Sequence, residues 1–113
     1  MYVFRDIDPD AAFHYQMIPK WHLRNLNSLD PRDPLHLTLV QHLRERSLTL
    51  MREWHPEEVR AGEYKLGFHK PWCTSIDHLH MHMMVGRRKP KAYIQFNCMF
   101  FRGIEEVCRR MER

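Results

Sequence analysis

His78-Leu79-His80-Met81-His82-Met83-Met84 is the stretch that decides the fold. Its three histidines alternate with apolar residues and run on into Val85. That two-residue period predicts a buried strand over residues 76–85 whose i, i+2 and i+4 side chains share one face. At a strand rise of about 3.3 Å per residue, neighbouring imidazoles stand about 6.6 Å apart at the backbone and the outer pair about 13 Å apart. One small anion cannot sit centrally against all three rings, so their roles have to differ.

Three readings compete for such a ladder. A lone strand histidine is usually a packed and satisfied core residue, but three in register on one face make that account weak. Two imidazoles at i and i+2 are good zinc ligands. Against a metal, His78 and His82 are too far apart to share one ion easily. Asp77, the one acidic residue of the segment, points to the opposite face, so no metal and no cofactor are expected. The third reading is covalent catalysis by the middle ring. Neutral imidazole, with an ordinary pKa near 6.5, is a competent nucleophile near pH 7, and flanking rings supply donors for a developing oxyanion.

The rest of the chain predicts an α+β domain without repeats or low-complexity stretches. Strands are expected over Tyr2 to Asp6, Phe13 to Ile18 and Gly62 to Phe68, with a turn over Ile7 to Ala12. Asp33-Pro34 is a helix start, an N-cap followed by proline at the first helical position. Leu35, Leu39, Leu43, Leu50, Met51 and Trp54 then fall at helical spacing, so one amphipathic helix runs to about His55. Charges of both signs on its other side make the apolar face a packing surface for a sheet, not a membrane stripe. Residues 86–91 form a basic loop, Ala92 to Asn97 extends again, and Gly103 to Glu112 closes as a short helix. The expectation is a single domain over 1–113, an antiparallel sheet with one long helix packed on it, and a C-terminal extension over 92–113.

Composition sets modest bounds. The 113 residues, 43% of them hydrophobic, suffice for one real core. Lys and Arg number 18 against 14 acidic residues, a formal charge of +4 that suits an anionic ligand but is also ordinary for a solvated surface. Cys73, Cys98 and Cys108 are odd in number and form no Cys-x-x-Cys pair, which disfavours a disulfide framework or structural zinc and suits a reducing compartment. The start lacks the pattern of a secretory leader, and no apolar run approaches membrane-spanning length. A soluble, cytoplasmic protein is expected, with the nucleus also open to it and no membrane partner.

The segment His78 to Met84 resembles the His-φ-His-φ-His-φ-φ motif, φ being apolar, of the histidine-triad (HIT) superfamily. Upstream, Phe4-Arg5-Asp6-Ile7-Asp8-Pro9 and His14-Tyr15-Gln16-Met17-Ile18-Pro19-Lys20-Trp21-His22 resemble its Asp-Ile-x-Pro and His-x-x-x-Ile-Pro-Lys-x-His elements. Gly67-Phe68-His69-Lys70-Pro71 and Ser75-Ile76-Asp77-His78 resemble the approach to the triad in the third subfamily of histidine-triad nucleotide-binding proteins and in the aprataxin branch. The resemblance spans about residues 3 to 85.

It implies roles. His80 would be the nucleophile that becomes transiently nucleotidylated. His82 would bond a phosphate oxygen, His78 with His22 would fix the orientation of the site, and Ser75 would contact the phosphate or leaving group. Asp6 would take the ribose hydroxyls, Phe4 and Ile7 would wall the base pocket, and His69 would lie against the nucleotide. Plainer accounts stand beside these: Ser75 as a strand cap, Asp6 as an Asx-turn, Phe4 and Ile7 as core. Relatives carry a helix and two strands before the Asp-Ile-x-Pro segment, so the chain is N-terminally short for a HIT-like fold. Arg5 and Trp72 also depart from the usual pattern, which bears on base specificity more than on phosphate chemistry.

Three functions follow from the resemblance. The first is a nucleotide-binding hydrolase that cleaves adenosine 5′-phosphoramidate through a nucleotidyl-histidine and releases AMP, with a purine nucleotide as ligand. The second is an aprataxin-like deadenylase of nucleic-acid ends, suggested by Lys91 to Phe101 and basic Arg87, Arg88 and Lys89, and not favoured because no zinc finger follows. The third is a non-catalytic nucleotide-binding protein. A homodimer is expected, because Phe13 to Ile18 carries no Lys, Arg or proline to discourage edge pairing.

Overall fold

The computed structural model describes residues 1–6, 9, 11–71, 77–88 and 101–112. Strand β1 covers Tyr2–Arg5, β2 Ala11–Ile18, β3 Tyr64–His69, β4 Met81–Arg88 and β5 Phe101–Gly103. They form one antiparallel sheet in the order β1-β2-β4-β3-β5. Helix α1 covers Pro34–Trp54, α2 Pro56–Arg60 and α3 Ile104–Met111, and a 3-10 turn spans Leu26–Ser28. The α+β class, the antiparallel sheet and the long helix are therefore as expected.

Local chemistry fixes the ends of α1. The Asp33 carboxylate accepts a 2.9 Å hydrogen bond from the Leu35 amide, and Pro34 fills the first turn, where its missing N–H costs nothing. At the other end Pro56 disfavours helical backbone at His55, whose φ of −138° and ψ of 59° leave the helix. Between the caps, His36, Val40, Leu43, Ser47, Leu50 and Met51 recur at helical spacing and are buried. Val40, Leu43, Leu50 and Met51 meet Tyr15, Met17, Leu66, Phe68, Met81, Met83 and Val85 from one face of the sheet, and this is the main core. Val107 and Met111 of α3 extend it.

The triad strand is shorter than predicted. It begins at Met81, so His78 and His80 precede the sheet and only His82 of the three stands on it. Proline explains the difference. Met17 is opposite Met81, and continuing that register would set Pro19 against Leu79. Pro19 has no N–H to give the ladder. Residues 77–79 instead join the loop after β2, with Leu79 N donating to Leu23 O at 2.6 Å and Arg24 Nε donating to Asp77 Oδ1 at 2.9 Å.

Further expectations are corrected. Strand β2 begins at Ala11, inside the predicted turn, and it is no edge: β1 pairs it on one side and β4 on the other. Strand β5, unforeseen, pairs with β3 and places Phe101 opposite His69. Strand β4 also runs on to Arg88, through the first half of the predicted basic loop and past the predicted strand end at Val85. Residues 89–91, the predicted extension at Ala92 to Asn97, Cys73 and Cys98 lie outside the described residues. No helix among the described residues is long and apolar enough to cross a membrane.

Candidate active site

The sheet face away from α1 carries the polar chemistry. Alternation along β2 sends Tyr15 and Met17 to the core and leaves His14 and Gln16 on the opposite face, where Gln16 stands opposite both His82 and Phe4. Across β4, Gly67 is the residue opposite His82. A Cβ built at Gly67 would run into the Arg102 carbonyl oxygen and lie 2.7 Å from the Phe101 ring. Glycine here lets β5 close in, so that the Phe101 ring comes 5.7 Å from His69 and 6.5 Å from His82, centroid to centroid.

His82 is the hub. Its ring centroid lies 5.0 Å from His80, 4.8 Å from His69 and 5.1 Å from His14. The closest polar contact is His14 Nε2 to His82 Nδ1 at 2.8 Å. Asp6 Oδ2 lies 3.5 Å from the same His14 nitrogen and accepts a 2.7 Å bond from Gln16 Nε2. The Asp6 amide donates to the His14 carbonyl at 2.8 Å, which ties the acid to β2 just beyond the end of β1. Burial, reinforced by His69, His80 and His14, pushes the His82 pKa down to about 2, because a charged ring there would lose its water and face further imidazoles. His82 is neutral at every working pH.

His80 is buried and its tautomer is fixed by geometry. Its Nδ1 lies 2.9 Å from the His78 carbonyl oxygen, which can only accept, so Nδ1 carries the hydrogen. The neutral ring then holds its lone pair on Nε2. His78 obeys the same logic: its Nε2 donates to the Pro19 carbonyl at 3.1 Å, leaving Nδ1 to accept from His22 Nδ1 at 3.1 Å. That pair is exposed, and it clamps the triad's approach segment to the loop after β2.

The predicted site residues therefore divide. His80, His82 and His69 come together, with Asp6 beside them through His14. His22 does meet His78, but His78 reaches His80 through its backbone carbonyl. Phe4 is 45% exposed on the same face and is not a core residue. Ser75 and Ile7 lie outside the described residues. Sequence reasoning gave no role to His14, Gln16 or Phe101. The first two were within reach, since His14 opens the His-x-x-x-Ile-Pro-Lys-x-His element and the alternation of β2 puts Gln16 on its face. Two other buried histidines, His36 and His55, serve the helix side, where His55 Nε2 meets the Tyr15 hydroxyl at 2.9 Å.

Chemically, the face offers one oriented imidazole lone pair on His80, the neutral ring of His82 beside it, and beyond that the Asp6 carboxylate, 3.5 Å from His14. That suits attack on a phosphorus or acyl centre, with the developing charge met by N–H groups.

Comparisons with known proteins place the chain in a family. The family described as "Scavenger mRNA decapping enzyme C-term binding" matches residues 1–94. The chain is 38% identical over 79 residues to the bifunctional adenosine 5′-phosphosulfate phosphorylase/adenylylsulfatase HINT4 of Arabidopsis thaliana, covering 70% of this chain and 51% of that protein. It is 33% identical over 81 residues to the adenosine 5′-monophosphoramidase HINT3 of Danio rerio, covering 72% and 48%. The chain thus spans about half the length of the curated relatives it matches. Among solved structures, a histidine triad protein from Clostridium difficile is similar with a TM-score of 0.64 and 21% identity over 78% of this chain and 73% of that one. A "Hit Like Protein" gives 0.59 and 23% over 74% and 76%. At those identities the likeness is one of fold.

Proposed function

Because this chain belongs to the histidine-triad (HIT) superfamily, we propose that it is a nucleotide-binding hydrolase of the adenosine 5′-monophosphoramidase type. The observation that carries this reading is the His80 tautomer, with Nδ1–H held by the His78 carbonyl and the Nε2 lone pair set for attack. In the first step Nε2 bonds phosphorus while the P–N bond to the leaving amine breaks, and the amine departs with a proton from the medium. In the second, water attacks phosphorus and gives one proton to the medium, the His80–phosphorus bond breaks with its electron pair returning to Nε2, and AMP leaves with the neutral ring restored. Neutral His82 gives an N–H to a phosphate oxygen in both steps. Asp6 takes the ribose hydroxyls, and Phe4 lies along the base.

Purified protein incubated with a fluorogenic adenosine phosphoramidate tests the reading. AMP release with an acid-labile adenylate on His80 after rapid quenching supports it. Nucleotide binding without turnover or adduct would select the non-catalytic alternative instead.

We also propose a two-fold homodimer. Among the described residues β1 pairs on one side only and exposes Tyr2 and Phe4, a surface that pairing with a second copy would cover. Light scattering at micromolar protein should give about twice the 13.9 kDa chain mass, and a clean monomer rules the dimer out.

A further inference from the structure

A cavity of about 950 Å³ lies between the 3-10 turn, the end of β3 and helix α3, with Lys70, Arg102 and Arg110 on its wall. We propose that it binds an organic carboxylate with an apolar, acyl-type body, at a site separate from the histidines.

The floor is apolar. Leu29, Val107 and Met111 line it and belong to the main core, so the cavity opens on the helix side of the sheet and not on its polar face. Val107 and Met111, four residues apart on α3, present their side chains next to each other. Arg102 marks the same side. It stands opposite Phe68, a core residue, whereas its neighbour Phe101 faces His69 and His82. The facing wall is held by the capped 3-10 turn, where the Asn25 side chain accepts from the Asn27 amide at 2.9 Å and Leu26 meets the cavity.

The rim is cationic. Lys70, Arg102 and Arg110 line the cavity, and among the described residues no Asp or Glu does. Glu106 stands between the two guanidiniums: its Oε1 accepts from Arg102 Nη1 at 3.0 Å and lies 3.4 Å from Arg110 Nη2. The charges of these three side chains sum to +1, before Lys70 is counted. Each guanidinium carries five N–H donors in a planar fork that matches a carboxylate, and Glu106 meets both through a single oxygen. A second carboxylate, arriving through the cavity, bridges Arg102 and Arg110 while its apolar body covers the floor.

Shape and charge together choose this ligand. A concave, mostly apolar cavity with a few convergent polar groups has the form of a small-molecule site. A bare anion would leave the apolar floor wet, and an uncharged chain would draw nothing from the guanidiniums. Binding is read without nucleotide, so it does not rest on the hydrolase reading.

The test titrates the intact protein with octanoate by calorimetry and follows the methyl groups by NMR. One octanoate per chain is expected, with shifts at the Val107 and Met111 methyls, and with acetate and 1-octanol each binding at least tenfold more weakly. Arg110, half exposed, can be replaced without disturbing the core. Arg110→Gln should weaken octanoate binding at least tenfold, and Asn27→Asp, which sets a like charge on the exposed lip, should weaken it as well. Arg109→Gln, off the cavity wall, should leave the titration unchanged, and AMP should not displace octanoate. If Arg110→Gln does not fold by circular dichroism, Asn27→Asp carries the test. Equal affinity for octanol and octanoate, tighter binding of octyl phosphate, displacement by AMP, or full affinity in Asn27→Asp would each overturn the proposal.

Discussion

His14 and His82, 68 residues apart in sequence, meet with Nε2 and Nδ1 2.8 Å apart in the buried centre of the sheet's polar face. This contact makes His14, and not His22, the residue that positions His82. His14→Ala should lower kcat/KM for a phosphoramidate by about 10²-fold, the low end of what a group acting through proton position supplies. His22→Ala, which removes only the exposed contact to His78, should stay within about tenfold of the parent. Equal losses in the two variants would return His22 to the centre of the site.

His80→Ala should remove turnover altogether. Its loss takes away the only lone pair that the carbonyl of His78 holds in place, while the surfaces that meet the nucleotide remain. AMP affinity should therefore change by less than about tenfold, or 1.4 kcal/mol. The check is a pair of measurements on one sample, calorimetric AMP binding and hydrolysis. Residual activity above a few per cent sinks the nucleophile assignment.

Acid should unfold this protein through His82. Its folded pKa is about 2 against an ordinary 6.5, so between those values the unfolded chain binds a proton that the folded one refuses. Stability from this source is complete above pH 6.5 and is lost as pH falls, by about 1.4 kcal/mol per pH unit. Thermal melts from pH 7.5 to 4.5 should show Tm constant above pH 6.5 and sliding below it. His82→Asn, which titrates nowhere in that range, should flatten the slope; an unchanged slope assigns the effect to another group.

How far the sequence carried is plain from single residues. The Asp33-Pro34 start and the Pro56 stop of α1 are local chemistry, and both were readable. Alternation put His82 and Met83 on opposite faces, as the strand has them. What failed was non-local. The triad strand was carried back to residue 76 because nothing within the segment breaks its period. The break comes from Pro19, the residue just past the end of β2. His14 was passed over for a similar reason: a lone histidine gains meaning only when β2 pairs with β4. Phe101 and β5 lie beyond the reach of local pattern, since three residues carry too little periodicity to announce a strand.

Gly67 is the position where backbone packing and the site are most tightly joined. A methyl group there meets the Arg102 carbonyl and the Phe101 ring, and trimming Phe101 would relieve only the second contact. Gly67→Ala should therefore push β5 off β3, costing about 1–3 kcal/mol as overpacking does, and shift the aromatic lid from His69 and His82. Gly62→Ala is the matched control. Gly62 has φ of 74° and nothing within 4 Å of an added Cβ, so alanine there meets backbone strain but no neighbour, at a cost of about 1 kcal/mol. Both variants should melt below the parent, but only Gly67→Ala should also lose nucleotide affinity and hydrolysis when assayed well below its Tm. If Gly67→Ala keeps full activity at a lowered Tm, Phe101 is packing alone and takes no part in the site.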